Sequence, residues 1–379
     1  MERGVENVFV KEKLEQKLLS GNKLRVYLGI DPTGPTLHMG HAIPLKKLKE
    51  FQDLGHEVIL LMGDFTAMIG DPTDKMAARK QLTKKEVLGN LKKYKKQASL
   101  FLKFSGSNKA QFKFNSKWLS QMSFGDVLEL ASNMTVDQML KRDMFARRAE
   151  EGKPIFIHEF LYPLMQGYDS VAMKVDVEVG GNDQTFNMLA GRHLVSALQK
   201  RDKSVLATKL LEDNNGKKMG KTEGNMITFE DSPEDMFGKV MSWNDSLINI
   251  GFELCTDVVD IPKTENPKDA KMKLAFEIVK IYHGEKKAKS AEENFVNTFQ
   301  KKEIPDEMEE ISAQAGAMLG DVLVEKKILA SKGEWRRLVE GGGAHDLEKN
   351  EKISDANMKL SGNITLKLGK KRFLKVTVK

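Results

Sequence analysis

Hydrophobic positions change period several times along the chain, and the changes mark a strand–helix–strand series. Leu24-Arg25-Val26-Tyr27-Leu28 is a short β-branched and aromatic run that predicts a buried strand. Over residues 42–51 apolar and charged residues recur at helical spacing. Between them Pro32, Gly34 and Pro35 force a turn, so a strand ends, the chain reverses and a helix begins at His38 and His41. Residues 57–62, Glu-Val-Ile-Leu-Leu-Met, are almost continuously apolar, as in a parallel strand covered on both faces. Strand, helix, strand opens a doubly wound α/β fold. Ligands bind there beyond the carboxyl ends of the strands, where Asp31, His38 and Asp64 converge.

Further along, residues 115–150 read as a helical insertion, with Met134, Met139 and Met144 packing a core or an interface. Residues 158–169 form a helix on which Tyr162, Gln166 and Asp169 share one stripe, at i, i+4 and i+7. A polar stripe on an apolar helix points into a pocket, because a buried carboxylate needs a partner. Residues 175–179 alternate like a strand, and Gly180-Gly181-Asn182-Asp183-Gln184 turns it into a helix over 185–198. Asp183 and Gln184 are placed to bond a ligand hydroxyl or amine; a plain turn with an N-cap is the alternative. Residues 1–20 read as an amphipathic helix without an apolar signal core, and 232–282 as helices. Residues 297–310 read as a polar linker, 322–340 as two short helices, and 365–369 with 372–376 as a hairpin.

Composition narrows the class. A chain of 379 residues exceeds one compact core, so two or three domains are expected. One cysteine, Cys255, excludes an intrachain disulfide framework and fits a reducing, cytoplasmic setting. No apolar run approaches the ~20 residues that span a bilayer, so no membrane partner is expected. Of the net charge of +7, residues 311–379 supply 14 Lys+Arg against 8 Asp+Glu, or +6. That concentration is either a nucleic-acid footprint or a solvated basic surface.

The turn at residues 29–41 is the candidate chemical centre. The first turn of a helix offers free N–H groups and the positive end of its dipole to phosphate. His38 and His41 share one face of that turn, and Gly40 leaves room for a nucleotide against the backbone. Two imidazole donors there suit the charge of a phosphoryl group under attack. A surface histidine pair and a metal pair are the alternatives; zinc would want further ligands nearby, and no metal is expected. Asp71 follows a turn-rich loop and could meet an ammonium group. Lys75, Arg79, Lys80, Lys84 and Lys85 then read as a phosphate-seeking stretch or an ordinary basic helix. Lys141, Arg142, Arg147 and Arg148 form a basic patch that could touch nucleic acid. Lys217-Lys218-Met219-Gly220-Lys221-Thr222 fails the P-loop spacing, with three residues between Gly216 and Gly220 and no clear strand before it. A lysine loop still suits phosphate.

The His-x-Gly-His corner and the Lys-Met-x-Lys-Thr loop resemble the two signatures of class I aminoacyl-tRNA synthetases. The segments at 28–33, 63–72, 162–169 and 180–184 narrow the resemblance to the bacterial tyrosyl-tRNA synthetase family, over essentially the whole chain. The resemblance implies a Rossmann-like parallel-sheet catalytic domain over 1–230, with a helical insertion at about 104–160. A helical anticodon-side domain over 231–300 and a small S4-like α+β RNA-binding domain over 311–379 would follow. It further implies that His38, His41, Lys218, Lys221 and Thr222 act on the ATP phosphates. Asp31, Gly40 and Met219 would join them in the ATP site, and Lys75 and Arg79 would belong to a mobile loop. Asp71, Tyr162 and Gln166 would hold the amino group of tyrosine, Asp169 its hydroxyl with Tyr27 as a second partner, and Asp183 and Gln184 would line the site. Arg336, Arg337, Lys370, Lys371 and Arg372 would contact RNA. ATP with Mg2+ as its counter-ion, L-tyrosine and tRNA(Tyr) are the expected partners, in a homodimer. The loop ends Gly-Lys-Thr where the family more often has Ser-Lys-Ser, and Pro44 falls where it could shift the first helical turn. The sister enzyme for tryptophan and an RNA-binding protein on a spent synthetase scaffold are the competing functions.

Overall fold

The computed structural model describes residues 2–72, 82–212, 226–260, 266–300, 308–349, 351–369 and 372–378. Residues 1–288 and 289–379 form two compact units. In the first, one sheet is built from β1 (Val5–Phe9), β2 (Arg25–Ile30), β3 (Glu57–Met62), β4 (Gln111–Phe114), β5 (Val177–Gly181) and β6 (Ser204–Thr208). The spatial order is β1-β6-β5-β2-β3-β4. Strands β2 to β6 are parallel, and β1 closes one edge antiparallel to β6. The doubly wound expectation holds.

Strand geometry sorts successive side chains to opposite faces. Val26, Leu28, Val58, Leu60, Val177 and Val179 pack on one face with Leu45, Leu48 and Phe51 of the helix Met39–Asp53. The alternate positions Tyr27, Ile59 and Leu61 pack on the other face with Met173, the last residue of the helix Ile157–Met173, and Val175. Each fully buried large side chain contributes about 1.5–3 kcal/mol, so a two-faced sheet is strongly held. Helix Ile157–Met173 also packs against helix Thr185–Gln199, and the two come together at glycines. A Cβ on Gly167 would lie 2.7 Å from Leu194 Cδ1 and 3.1 Å from the Gly191 backbone.

Three expectations change. Residues 1–20 are not one helix: β1 precedes the helix Lys11–Leu19, because Val5, Val8 and Phe9 serve the sheet edge. Strand β4 lies inside the stretch 104–160 that reads as helical, and short helices begin only at Ser116. A strand does precede the lysine loop: β6 ends at Thr208. Pro44 interrupts nothing; the helix Met39–Asp53 runs through it and forgoes one backbone bond.

In the second unit, strands Glu309–Ala313, Arg372–Val378, Ile364–Leu368, Ala344–Asp346 and Glu351–Lys352 lie side by side in that order. The expected hairpin is present as Ile364–Leu368 against Arg372–Val378. Helices Leu319–Glu325 and Lys332–Glu340 cover the sheet through Leu319, Leu323, Trp335 and Val339. Trp335 Nε1 donates to the Ala356 carbonyl at 2.8 Å, satisfying the indole in the core.

The glycine contact yields a stability prediction. Gly167→Ala should cost about 1–3 kcal/mol by overpacking the helix pair, lowering the urea midpoint with little change in slope. An unchanged midpoint would mean that the helices separate without cost.

Candidate active site

The histidine corner begins where β2 ends. His38 is the N-cap of the helix Met39–Asp53, with extended backbone. Its N–H donates to His41 Nδ1 at 3.1 Å, which closes the first turn. The accepting Nδ1 carries no proton, so neutral His41 holds its hydrogen on Nε2 and presents a donor there. The rings lie 3.9 Å apart between centroids. A Cβ at Gly40 would stand 3.0 Å from His38 Cε1, so glycine there spares the imidazole. Residues 213–225 lie outside the described residues, and with them Lys218, Met219, Lys221 and Thr222. After them the chain bonds directly to the corner: Met39 N–H donates to the Ile227 carbonyl at 2.9 Å and Phe229 N–H to the Leu37 carbonyl at 3.0 Å. His38 pairs with Thr228 as a short antiparallel bridge.

Beside the corner, Asp31 ties three elements together. Thr66 Oγ1 donates to its Oδ1 at 2.7 Å, and the Tyr162 hydroxyl to its Oδ2 at 2.9 Å. A Cβ on Gly63 would fall 1.8 Å from Asp31 Oδ1, so only glycine fits there. Burial pushes the Asp31 carboxyl up to about 7; the bonds from Thr66 and Tyr162 oppose this, and the charges of Asp71 and Asp64 add to it. Asp71 accepts from Gln184 Nε2 at 2.7 Å and from buried Arg142 at 3.4 Å. Asn187 in turn donates to Gln184 Oε1 at 2.9 Å. Asp64 accepts from the Ser116 N–H and hydroxyl, which fixes the start of the next short helix.

Asp169, on the same helix as Tyr162, is buried. Trp118 Nε1 donates to its Oδ1 at 2.7 Å and Asn115 Nδ2 to its Oδ2 at 3.2 Å. Burial raises the pKa of this carboxyl well above the usual range, against those two donors. Tyr27 is fully buried, its hydroxyl 3.1 Å from Ser170 Oγ. Below it lies an ion pair between Glu178 and Lys203, both buried. Gln166 Nε2 donates to Glu178 Oε1 at 3.1 Å. Burial pulls the Lys203 ammonium down from its ordinary value, and Glu178 opposes that shift.

Hydrogen bonds thus pair Tyr162 with Asp31 and Gln184 with Asp71, and Asn115, which donates to both Thr66 and Asp169, connects Asp169 to the Asp31 group. Asp183 is exposed. Lys75, Arg79, Lys80, Lys370 and Lys371 lie outside the described residues. Arg336 and Arg337 are exposed on a helix whose other face carries Trp335 and Val339, and Arg372 pairs with Glu309 at 3.0 Å. The basic patch at 141–148 needs correction. Arg142 is buried against Asp71, Phe145 and Phe186, Arg148 pairs with Glu159 and Lys141 with Asp137, so three of the four cations pair with carboxylates of the fold. Asn115, Trp118, Ser170, Glu178 and Lys203 escaped the sequence reading. A glutamate inside an otherwise apolar central strand was the available signal for Glu178; Lys203 sits in the polar run Lys200-Arg201-Asp202 and gives none. Among the described residues no group of three His, Cys, Asp or Glu side chains could hold a metal ion.

Comparison with known proteins shows the family of the chain. The profile of the family described as tRNA synthetases class I (W and Y) matches residues 19–300, and the chain belongs to that family. A tyrosine–tRNA ligase of Thermotoga maritima is 46% identical over 389 residues, covering 100% of this chain and 96% of that protein. One from Carboxydothermus hydrogenoformans is 44% identical over 99% of this chain and 96% of its own length. Among solved structures, a C-terminally truncated mitochondrial tyrosyl-tRNA synthetase of Coccidioides posadasii has a TM-score of 0.60 at 25% identity, covering 77% of this chain and 89% of its own. The tyrosyl-tRNA synthetase of Archaeoglobus fulgidus complexed with L-tyrosine shares the fold with a TM-score of 0.60 at 23% identity, over 76% and 97%.

The raised Asp31 carboxyl makes stability pH-dependent with a definite sign. Between the unfolded carboxylate range near pH 4 and about pH 7 the folded protein holds a proton that the unfolded chain has released. Its stability contribution therefore falls as pH rises through that window and levels off above it. Asp31→Asn, whose amide mimics the protonated carboxyl, should flatten the decline of melting temperature between pH 5 and 7.5. Parallel melting curves for the two proteins would remove this assignment.

Proposed function

We propose that this protein is a tyrosine–tRNA ligase, which joins tyrosine to ATP's α-phosphate and then hands the tyrosyl group to tRNA(Tyr). The observation that carries the reading is Asp169: a buried carboxyl group, each oxygen already anchored by one donor. Such an acceptor takes the phenolic hydroxyl of tyrosine, whereas phenylalanine would leave it short of a partner. Tyr162, Gln166 and Asp71 surround the amino group, with Gln184 steadying Asp71. Tyr27 stands second to Asp169 at the phenol.

In the first step the tyrosine carboxylate attacks the α-phosphorus, and the bond to pyrophosphate breaks. No protein side chain is covalently modified; the gain comes from alignment and from donors aimed at the departing charge. His38 and His41 supply two of these at a helix N-terminus, with Asp31 and Gly40 completing the nucleotide cleft. We place Lys218, Met219, Lys221 and Thr222 over the pyrophosphate, and Lys75 and Arg79 beside it. The backbone bonds that join Ile227 and Phe229 to the corner support this, since they hold the residues that follow the loop beside the histidines. Mg2+ arrives with ATP. In the second step the terminal ribose hydroxyl of tRNA attacks the carbonyl carbon and AMP leaves. We assign residues 231–300 to the anticodon side and 311–379 to an S4-like RNA-binding role, with Arg336, Arg337, Lys370, Lys371 and Arg372 on phosphates. The enzyme works in the cytoplasm.

Pyrophosphate exchange into ATP should depend on tyrosine; exchange with tryptophan instead would install the sister activity. His41→Ala should slow single-turnover adenylate formation by about a hundredfold and leave tyrosine affinity unchanged. Collapse of tyrosine binding at a preserved rate would sink the role of the corner.

A homodimer completes the proposal. Of eleven large apolar side chains exposed among the described residues, five (Phe124, Leu128, Val136, Phe156 and Ile157) fall within residues 124–157. Such clustering suits a second copy of this chain. Sedimentation should give a dimer that Phe124→Asp/Leu128→Asp shifts towards monomer; a monomeric parent would end this part of the reading.

A further inference from the structure

Glu178 and Lys203 fall outside every role given above, and both are buried where charge is costly. Their placement follows from the sheet. Glu178 lies opposite Tyr27 in the β2–β5 register, and its neighbours Val177 and Val179 join the apolar cluster on the far face. Lys203 precedes β6 two residues before Val205, the partner of Glu178 in the β5–β6 register, and so falls on the same face.

The hydrogen bonds form one connected set. Lys203 Nζ donates to Glu178 Oε2 and, at 2.9 Å, to Ser170 Oγ. Ser170 Oγ stands 3.3 Å from Glu178 Oε2 and 3.1 Å from the Tyr27 hydroxyl. Glu178 Oε1 is left to accept from Gln166 Nε2 at 3.1 Å. A carboxylate beside an ammonium has no proton to give, so it can only accept. The Gln166 amide therefore has one permitted orientation: nitrogen towards Glu178, oxygen away.

We propose that the buried Lys203–Glu178 pair is a positioning device for tyrosine, holding Gln166 with its amide oxygen turned to receive the substrate ammonium. This rests on the tyrosine-activating reading and deepens it. Lys203 keeps Glu178 an acceptor, Glu178 sets the amide, and the amide meets the ligand; neither charged residue touches the substrate. Unclamped, the amide would spend part of its time with its NH2 group facing the ammonium, where two donors meet and no bond forms. The cost falls on binding of the amino group, not on the reacting phosphate.

Lys203→Met alone would strand a buried carboxylate and damage folding. The test is the neutral pair Glu178→Gln/Lys203→Met, since replacing both partners of a buried ion pair is often tolerated. The introduced amide can offer either end to Gln166 and so removes the clamp without emptying the space. In tyrosine-dependent pyrophosphate exchange, KM for tyrosine should rise about tenfold, the scale of one hydrogen bond, with kcat and KM for ATP nearly unchanged. The inhibition constant of 3-(4-hydroxyphenyl)propionate, which lacks the ammonium, should stay within about twofold, as no hydrogen bond to the amine is at stake. An equal loss for tyrosine and for this analogue would make the pair a structural support and overturn the proposal, as would an unmoved KM for tyrosine. Parent protein whose exchange ignores tyrosine would overturn the functional reading itself, a result visible before any variant is made.

Discussion

Asp31 is the knot of the catalytic half. It closes β2, takes a hydroxyl from Thr66 just beyond β3, and takes another from Tyr162 on the helix that covers the far face of the sheet. Gly63 has no side chain because that carboxylate occupies the space. Two parallel strands and a crossover helix therefore meet on two oxygens, at the carboxyl edge where an open α/β sheet binds its ligand. Holding a carboxylate in so enclosed a place raises its proton affinity, and the protein accepts that cost where it needs convergence.

Charge is collected in compensated groups both at this edge and towards the amino ends of β5 and β6. Asp71 is met by Arg142 and Gln184, Asp169 by Trp118 and Asn115, and Glu178 by Lys203. Each arrangement leaves an oriented acceptor and few mobile parts. Preorganisation of this kind suits a reaction in which the protein contributes alignment and electrostatics rather than a nucleophile of its own.

Much of this was legible in the chain. The run 57–62 could be read because a central parallel strand is apolar throughout, and the histidine corner because Pro32, Gly34 and Pro35 leave few conformations open. Tyr162, Gln166 and Asp169 could be read from helical spacing on one apolar segment. What stayed hidden depends on partners far along the chain. The sheet role of Val5–Phe9 exists only through residues 204–208, and its sequence resembles the amphipathic helix that follows. Arg142 looked like surface charge because nothing local shows that Asp71 lies against it. Trp118 sits in the four-residue helix Ser116–Leu119 and Asn115 caps it, a segment too short for a period to mark the inward face.

The antiparallel edge has a consequence for synthesis. Strand β1 leaves the ribosome well ahead of its partner, which spans residues 204–208. At about 5–20 residues per second the first strand waits roughly 10–40 s for the sixth. Its short length and the adjacent polar residues Glu6 and Asn7 keep it a poor template for another strand during that interval. The sheet is sealed from its newest strand back to its oldest, so a nascent chain halted before β6 would carry an unpaired leading segment.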